Sequence, residues 1–309
     1  MRFRESGRLD TSQVQDRRGS GGRGGGRGLA VGGGGLGLVG LLVVVLVQVL
    51  GGGGGGGGGG TAGLAGTFDG LSGGQTADNT ELAANCRTGA DANESEECAV
   101  VAVIDSIQDH WTATLGATYR PTDTVFFTGS VSTACGGATS GSGPFYCPAD
   151  ELVYIDLSFF DQLRTQFGAA GGTFVNAYVL AHEYGHHVQN VLGINQQVDP
   201  RESGPTSGSV RLELQADCFA GTWADHAETV PDESGEPLIT DITDDDVRRA
   251  LDAAGRIGDD FIQENLGGGT VDQDAFTHGS SEQRQRWFST GYATGDPAQC
   301  DTFATDDLG

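Results

Sequence analysis

The sequence contains no lysine, and its only methionine is Met1. Its 17 arginines face 42 aspartates and glutamates, so the formal net charge is −25 at pH 7. A chain this acidic lacks the basic groove that binds phosphate backbones, which argues against nucleic acid as a partner. C-x-x-C pairs are also absent, which disfavours a zinc site built from cysteines.

Charge and hydrophobicity divide the chain into segments. Residues 1–28 carry seven arginines and three acidic residues, a net charge of +4, whereas residues 29–50 contain no charged side chain. As a helix, residues 29–50 would span roughly 33 Å, about the thickness of a bilayer. We therefore predict a basic cytoplasmic tail (residues 1–28), a transmembrane anchor (29–50), a glycine-rich tether (51–62) and a folded domain (63–309).

The same apolar segment could instead be a cleaved signal peptide. No A-x-A site follows the apolar run directly, although Thr61, Ala62 and Gly63 offer small residues. Arginines before the apolar run favour an anchor whose N terminus stays in the cytoplasm. We therefore expect a single-pass protein of the cell membrane, with residues 51–309 outside the cytoplasm.

All six cysteines lie beyond the apolar run, which fits an exported domain with up to three disulfides. The sequence alone leaves their connectivity open. Pairing of nearest neighbours predicts Cys86–Cys98 and Cys135–Cys147, which leaves Cys218–Cys300. Buried free thiols are the alternative.

Runs of β-branched and aromatic residues alternate with longer segments of helical spacing. Residues 124–128 and 152–157 are typical of strands, and the first of them could pair with an extended peptide at a sheet edge. Helices are predicted over residues 99–115, 177–192, 210–229, 244–266 and, after a capping-box motif, about 280–291. The fold class is therefore α+β, with a small sheet followed by packed helices.

His182 and His186 belong to an H-E-x-x-H motif inside the helix predicted over residues 177–192. Side chains four residues apart stack on one helical face, so both imidazoles can reach one Zn²⁺ ion. Glu183 adjoins the first histidine and could act as a general base toward an activated water. The motif therefore predicts two metal ligands and a base.

A catalytic zinc needs a third protein ligand and one open position. The extended motif with a third histidine is absent, since Gln189 and Leu192 occupy its glycine and histidine positions. Glu213 and Asp217 instead form an E-x-x-x-D pair on one face of a predicted helix. Glu213 could bind the metal while Asp217 hydrogen-bonds the outer nitrogen of a ligand histidine. A solvated acidic helix face is the alternative.

These segments together resemble the bacterial putative neutral zinc metallopeptidase family. The likeness is carried by H-E-Y-G-H-H-V-Q at residues 182–189 and S-V-R-L-E-L-Q-A-D-C-F-A-G at residues 209–221. It extends to residues 143–148, 153–160, 277–284 and 296–303. The resemblance implies a zincin-like metallopeptidase domain with a gluzincin-like site, which matches the residues chosen above: His182, His186 and Glu213 on zinc, Glu183 as base and Asp217 behind a ligand.

His278 precedes a predicted helix cap, and we expect it to donate a hydrogen bond to the oxyanion of a tetrahedral intermediate. Capping or packing is the alternative for His278. His187 points about 100° away from the metal face and is expected to be structural. The expected function is a membrane-anchored zinc peptidase that acts on peptides or proteins. A zinc-stapled binding domain and a zinc hydrolase of a non-peptide bond are the alternatives.

Overall fold

The computed structural model describes residues 1–20, 77–199 and 202–309 of the chain. Small sheets and packed helices occur together, which confirms the predicted α+β class. The strands are β1 (Arg2–Phe3), β2 (Val14–Asp16), β3 (Thr124–Phe126), β4 (Ser130–Thr133), β5 (Gly136–Thr139), β6 (Phe145–Cys147), β7 (Leu152–Ile155) and β8 (Ile239–Thr240). The α-helices are α1 (Thr80–Asn85), α2 (Gly89–Glu94), α3 (Glu96–Leu115), α4 (Phe159–Thr165), α5 (Thr173–Val191), α6 (Gly208–His226), α7 (Asp244–Arg256), α8 (Asp259–Asn265) and α9 (Ser281–Thr294).

The main sheet has four strands in the order β2-β3-β7-β6. β2, β3 and β7 run parallel, and β6 pairs with β7 in the antiparallel direction. β3 lies between two partners, so the prediction that residues 124–128 offer a free edge to a peptide is wrong. The edges of this sheet are β2 and β6, because each pairs with one neighbour among the described strands.

Residues 1–20 belong to the same folded unit as the helices. β1 pairs with β8, and β2 extends the main sheet beside β3. The backbone of Phe3 exchanges two hydrogen bonds with the Asn93 side chain, at 2.9 and 2.8 Å. Phe3 and Val14 are buried, so apolar side chains of this segment join the core. Residues 1–20 therefore belong to the folded domain and do not form the start of the separate tail predicted over residues 1–28.

The predicted single-pass membrane location is wrong. Across residues 1–20, 77–199 and 202–309, no helix combines the length and the apolar character needed to cross a bilayer. A tail held across a membrane from the domain could not form the β1–β8 and β2–β3 pairings. The predicted anchor (29–50) and tether (51–62) lie outside the described residues.

Three disulfides confirm the pairing predicted from the order of the cysteines, and among the described residues no cysteine is free. They are Cys86–Cys98, Cys135–Cys147 and Cys218–Cys300. The last joins residues 82 positions apart and ties α6 to the C-terminal segment. Closing a loop of this length removes unfolded-state entropy worth about 4–5 kcal/mol.

Two glycines allow the central helices to approach closely. A Cβ atom at Gly185 of α5 would lie 2.9 Å from the Cα of Ala216 in α6. A Cβ atom at Gly291 of α9 would collide with the carbonyl of Cys218 in α6. Because real Cβ atoms do not come so near, glycine at both positions lets α5, α6 and α9 pack backbone to backbone. The motif faces of α5 and α6 meet as a result.

The helix predicted over residues 244–266 is interrupted and forms α7 and α8. At the start of α8, Asp259 turns its carboxylate toward the loop before α9. Its Oδ2 accepts the backbone N–H groups of Thr277, His278 and Gly279 at 2.7, 2.7 and 3.0 Å. The Asp259 N–H donates in turn to the Gly279 carbonyl at 2.9 Å. The interruption therefore anchors the loop that carries His278.

The stability of this fold should depend on pH through Asp109 of α3. Burial raises the pKa of Asp109 to about 6, and the negative charges of Asp232, Glu233 and Asp10 add to the rise. An aspartate in an unfolded chain titrates near about 4, so the folded state holds this proton more tightly. The resulting stabilisation is complete below about pH 4 and is lost as the pH rises through about 6.

We predict that Asp109→Asn removes this dependence. Relative to wild type, the free energy of unfolding of the variant should rise from about pH 4 to about pH 7, because the variant has no carboxylate to ionise. Urea denaturation across that range measures the difference. Asp161→Asn, at an exposed position of α4, is the control. A difference between Asp109→Asn and wild type that stays constant with pH would contradict the prediction.

Candidate metal centre

Three donor side chains converge where α5 packs against α6. His182 and His186 come from α5 and Glu213 comes from α6, and one donor atom from each lies within 4.8 Å of the others. The Nε2 atom of His182 is 3.1 Å from Oε2 of Glu213, and the Nε2 atom of His186 is 3.4 Å from Oε1. The structure thus brings together the three side chains that the sequence predicted as metal ligands.

The chemistry of this donor set fits a zinc ion. Two imidazole nitrogens and one carboxylate oxygen are a common protein ligand set for catalytic zinc. His182 and Glu213 are buried, whereas His186 is partly exposed. The donors therefore form a protected cluster with one member that solvent can reach.

Asp217 holds His182 in a single orientation. Nδ1 of His182 donates a hydrogen bond to Oδ1 of Asp217 at 2.9 Å, which leaves Nε2 facing Glu213. A carboxylate behind a metal-binding histidine fixes the ring and its tautomer and makes the ligand more basic. This is the position predicted for Asp217 from the E-x-x-x-D spacing.

Two further side chains complete the surroundings of Asp217. The Tyr178 hydroxyl donates to Oδ1 at 2.7 Å. Arg284 of α9 donates through Nε to Oδ2 at 2.8 Å and through Nη2 to Oδ1 at 3.0 Å. Sequence reasoning missed both residues. Tyr178 precedes His182 by one helical turn, and Arg284 is the last residue of the segment 277–284, one of those that carry the family resemblance.

Burial and charge pairing set the ionisation of this cluster. Burial would raise the pKa of Asp217, but Arg284 and His182 lower it to about 2. Burial would lower the pKa of His182, but the Asp217 charge and hydrogen bonds to Asp217 and Glu213 raise it to about 10. Asp217 therefore stays ionised, and binding of a metal ion must release a proton from His182.

Glu183 is buried beside the three donors, with 8% of its surface exposed. Burial raises the pKa of Glu183, and the charges of His182 and His186 oppose that rise. Both histidines and Glu213 act on its ionisation, so its carboxylate lies in the field of the cluster. A carboxylate with a raised pKa is a better proton acceptor than an exposed one. The environment suits the predicted role of general base.

His278 lies in the loop between α8 and α9. Its Nδ1 atom is 3.3 Å from Oδ1 of Asp259 and 3.0 Å from the Thr277 hydroxyl. Burial would lower the pKa of His278, but the charges of Glu213 and Asp259 raise it. Because Asp259 engages Nδ1, Nε2 is the nitrogen that can face Glu213 and the donor cluster. Asp259 was not predicted from the sequence.

The other histidines have different roles. Nδ1 of His187 lies 3.1 Å from the Tyr146 hydroxyl, and Nε2 lies 2.6 Å from the Arg120 carbonyl. His187 therefore ties α5 to β6 and to the loop before β3, as expected for a structural residue. The rings of His110 and His226 pack 5.3 Å apart, and neither belongs to the donor cluster.

Comparison with known proteins places this geometry in a family context. A family model described as "Putative neutral zinc metallopeptidase" matches residues 1–303. The uncharacterized protein Rv2575 of Mycobacterium tuberculosis is 50% identical over 225 residues, covering 72% of this chain and 76% of its own length. The uncharacterized protein YpfJ of Escherichia coli K12 is 44% identical over 220 residues, covering 68% and 73%. No solved structure matches the chain.

Removal of the buried Arg284 guanidinium should destabilise the fold around Asp217. We predict that Arg284→Met lowers the free energy of unfolding by about 3–5 kcal/mol, because the Asp217 charge then lacks its main partner. Arg286→Met is the matched control on the same helix, since Arg286 pairs at the surface with Asp307 and such pairs contribute about 0–1 kcal/mol. Chemical denaturation measures the free energy of unfolding of both variants. Equal losses of stability in Arg284→Met and Arg286→Met would contradict the role of Arg284 as the main charge partner of Asp217.

Proposed function

Since the chain belongs to the putative neutral zinc metallopeptidase family, we propose that it hydrolyses peptide bonds with zinc held by His182, His186 and Glu213. The convergence of these three donors within 4.8 Å is the observation that carries the proposal. The buried Glu183 and the Asp217–His182 hydrogen bond support it. A donor cluster alone would describe any metal site, whereas a base beside it points to hydrolysis.

Glu183 and His278 have different roles in the reaction: Glu183 transfers a proton, and His278 stabilises the negative charge that develops on the carbonyl oxygen. When bound, zinc supplies the Lewis acidity that activates a water molecule and polarises the scissile carbonyl. Glu183 accepts the proton of the attacking water and delivers it to the leaving amine. Its raised pKa lets it hold that proton between the two steps. Burial keeps bulk water from competing for the same proton.

His278 supplies a hydrogen bond to the oxyanion that develops on the carbonyl. The hydrogen bond from Nδ1 to Asp259 keeps the imidazole in place and favours its charged form. Asp259 also holds the backbone of residues 277–279 through three N–H groups. The loop is therefore fixed before substrate arrives, as a preorganised oxyanion donor requires.

The position of β6 supports a peptide as substrate. β6 is an edge strand of the main sheet. Its Tyr146 hydroxyl lies 3.1 Å from Nδ1 of His187 and accepts a hydrogen bond from Asn190 at 2.9 Å, so β6 is attached to α5, the helix of the metal ligands. An edge strand attached to this helix can pair with an extended peptide through backbone hydrogen bonds. A zinc site that only staples helices would have no use for a buried base such as Glu183.

Separation of metal binding from chemistry tests the proposal. In the purified full chain, Glu183→Gln should retain zinc but lose about 10²–10⁴-fold in peptide hydrolysis, since only the base is removed. Glu213→Gln should lose zinc. Metal analysis and cleavage of a peptide library provide the two readouts, and Glu264→Gln, at an exposed position of α8, is the control. A zinc-loaded wild type that cleaves no peptide would contradict the proposal that the protein is a peptidase.

The role of His278 predicts a specific kinetic defect. We expect His278→Phe to lower kcat by about 10²–10³-fold, because one oxyanion donor is lost, while KM and zinc content change little. His226→Phe replaces a histidine outside the donor cluster and should leave kcat unchanged. Steady-state kinetics on one peptide distinguish the variants. A normal kcat in His278→Phe would contradict the oxyanion role and favour a packing role for His278.

A further inference from the structure

Gln189 lies one helical turn after His186 on α5 and is 1% exposed. Its Oε1 atom is 2.9 Å from Nδ1 of His186, on the side of the ring away from Glu213. The same amide reaches across to α6, where its Nε2 atom is 2.7 Å from the Leu212 carbonyl and 3.1 Å from Oε1 of Gln215. Gln189 thus contacts a predicted metal ligand on one side and the neighbouring helix on the other.

The neighbours of Gln189 determine which way its amide points. The Leu212 carbonyl can only accept a hydrogen bond, so the amide atom that faces it must be the NH₂ group. Gln215 is fixed in the same way, because its own NH₂ group donates to the Cys300 carbonyl at 3.0 Å. The Gln215 oxygen therefore faces Gln189 and also requires a donor. Two backbone carbonyls thus fix both amides, and the Gln189 oxygen is left to face His186.

An amide oxygen can only accept, so Nδ1 of His186 must carry a hydrogen. In the neutral ring this leaves the lone pair on Nε2, the atom 3.4 Å from Glu213. The tautomer of His186 is therefore determined by two backbone carbonyls, one on α6 and one in the C-terminal segment. These carbonyls orient the amides of Gln189 and Gln215, and the Gln189 oxygen then faces His186. His182 is held by the charged Asp217 instead.

We propose that Gln189 is a positioning residue for His186, one of the proposed metal ligands, which it holds in the Nδ1–H tautomer so that the Nε2 lone pair would be available to a metal ion. The inference rests on the metal site of the proposed function but not on peptide hydrolysis. Nothing in the role requires Gln189 to touch substrate or metal. Loss of such a supporting hydrogen bond lowers metal affinity by about 10–100-fold in other metal sites.

Two substitutions separate positioning from packing. Gln189→Met fills the same space but removes the acceptor, and we expect the zinc dissociation constant of the full chain to rise about 10–100-fold. Gln189→Glu keeps an acceptor for His186 but turns an oxygen toward the Leu212 carbonyl and Gln215. If positioning dominates, Gln189→Glu should bind zinc more tightly than Gln189→Met. If Gln189 only ties α5 to α6, Gln189→Glu should be as weak as Gln189→Met or weaker, which would overturn the proposal.

Gln108→Met is the matched control. Gln108 is also a buried glutamine that bridges elements, through Tyr119 and Thr122, but it belongs to α3 and does not touch the donor cluster. Zinc affinity is measured by competition with a chromophoric chelator, and thermal unfolding reports the stability of each variant. Equal loss of zinc affinity in Gln108→Met and Gln189→Met would assign the effect to general stability and overturn the proposal.

Peptide cleavage is recorded on the same samples, so the two proposals can fail separately. A wild type that binds zinc but cleaves nothing counts against the peptidase, while the affinity comparison still decides the role of Gln189. A Gln189→Met protein with wild-type zinc affinity overturns the positioning role and leaves the peptidase standing. A wild type that binds no zinc overturns both.

Discussion

The buried carboxylate of Asp217 is the group on which the site depends. Fully buried in α6, it accepts hydrogen bonds from Tyr178 and His182 of α5 and from the Nε and Nη2 atoms of Arg284 on α9. A buried charge without partners would be very costly, so these donors must be in place whenever the chain is folded. One carboxylate therefore holds together three helices and His182, one of the three proposed metal ligands.

Parts of this arrangement follow from local sequence pattern, and parts do not. His182, His186, Glu213 and Asp217 could be predicted because residues four apart share a helical face whatever the rest of the fold does. Arg284 could not, because it lies 67 positions from Asp217 and its burial depends on the close packing of α9 on α6. Asp259 was missed for a related reason. Helical periodicity alone gave no sign that the segment would break and turn this carboxylate toward the next loop.

The N-terminal segment shows how composition can mislead. Its arginines next to an apolar run are typical of a cytoplasmic tail, yet Arg18 pairs with Asp16 and with Glu97 of α3. Arg4 pairs with Asp232. In so acidic a chain, these arginines compensate carboxylates of the fold itself. The disulfides were easier to predict, since two of them join cysteines only 12 positions apart and the third pair followed by elimination.

The two histidines proposed as metal ligands have different supporting groups, a carboxylate for His182 and an amide for His186, and charge gives a reason for the difference. Glu183, Glu213 and Asp217 are all buried here, with the Arg284 guanidinium bound to Asp217. A further carboxylate behind His186 would add negative charge beside Glu183 and would compete with it for protons. The amide of Gln189 makes a hydrogen bond to Nδ1 of His186 without adding charge. The neutral amide of Gln189 thus orients His186 without adding a charge. Glu183 remains the carboxylate whose raised pKa suits proton transfer.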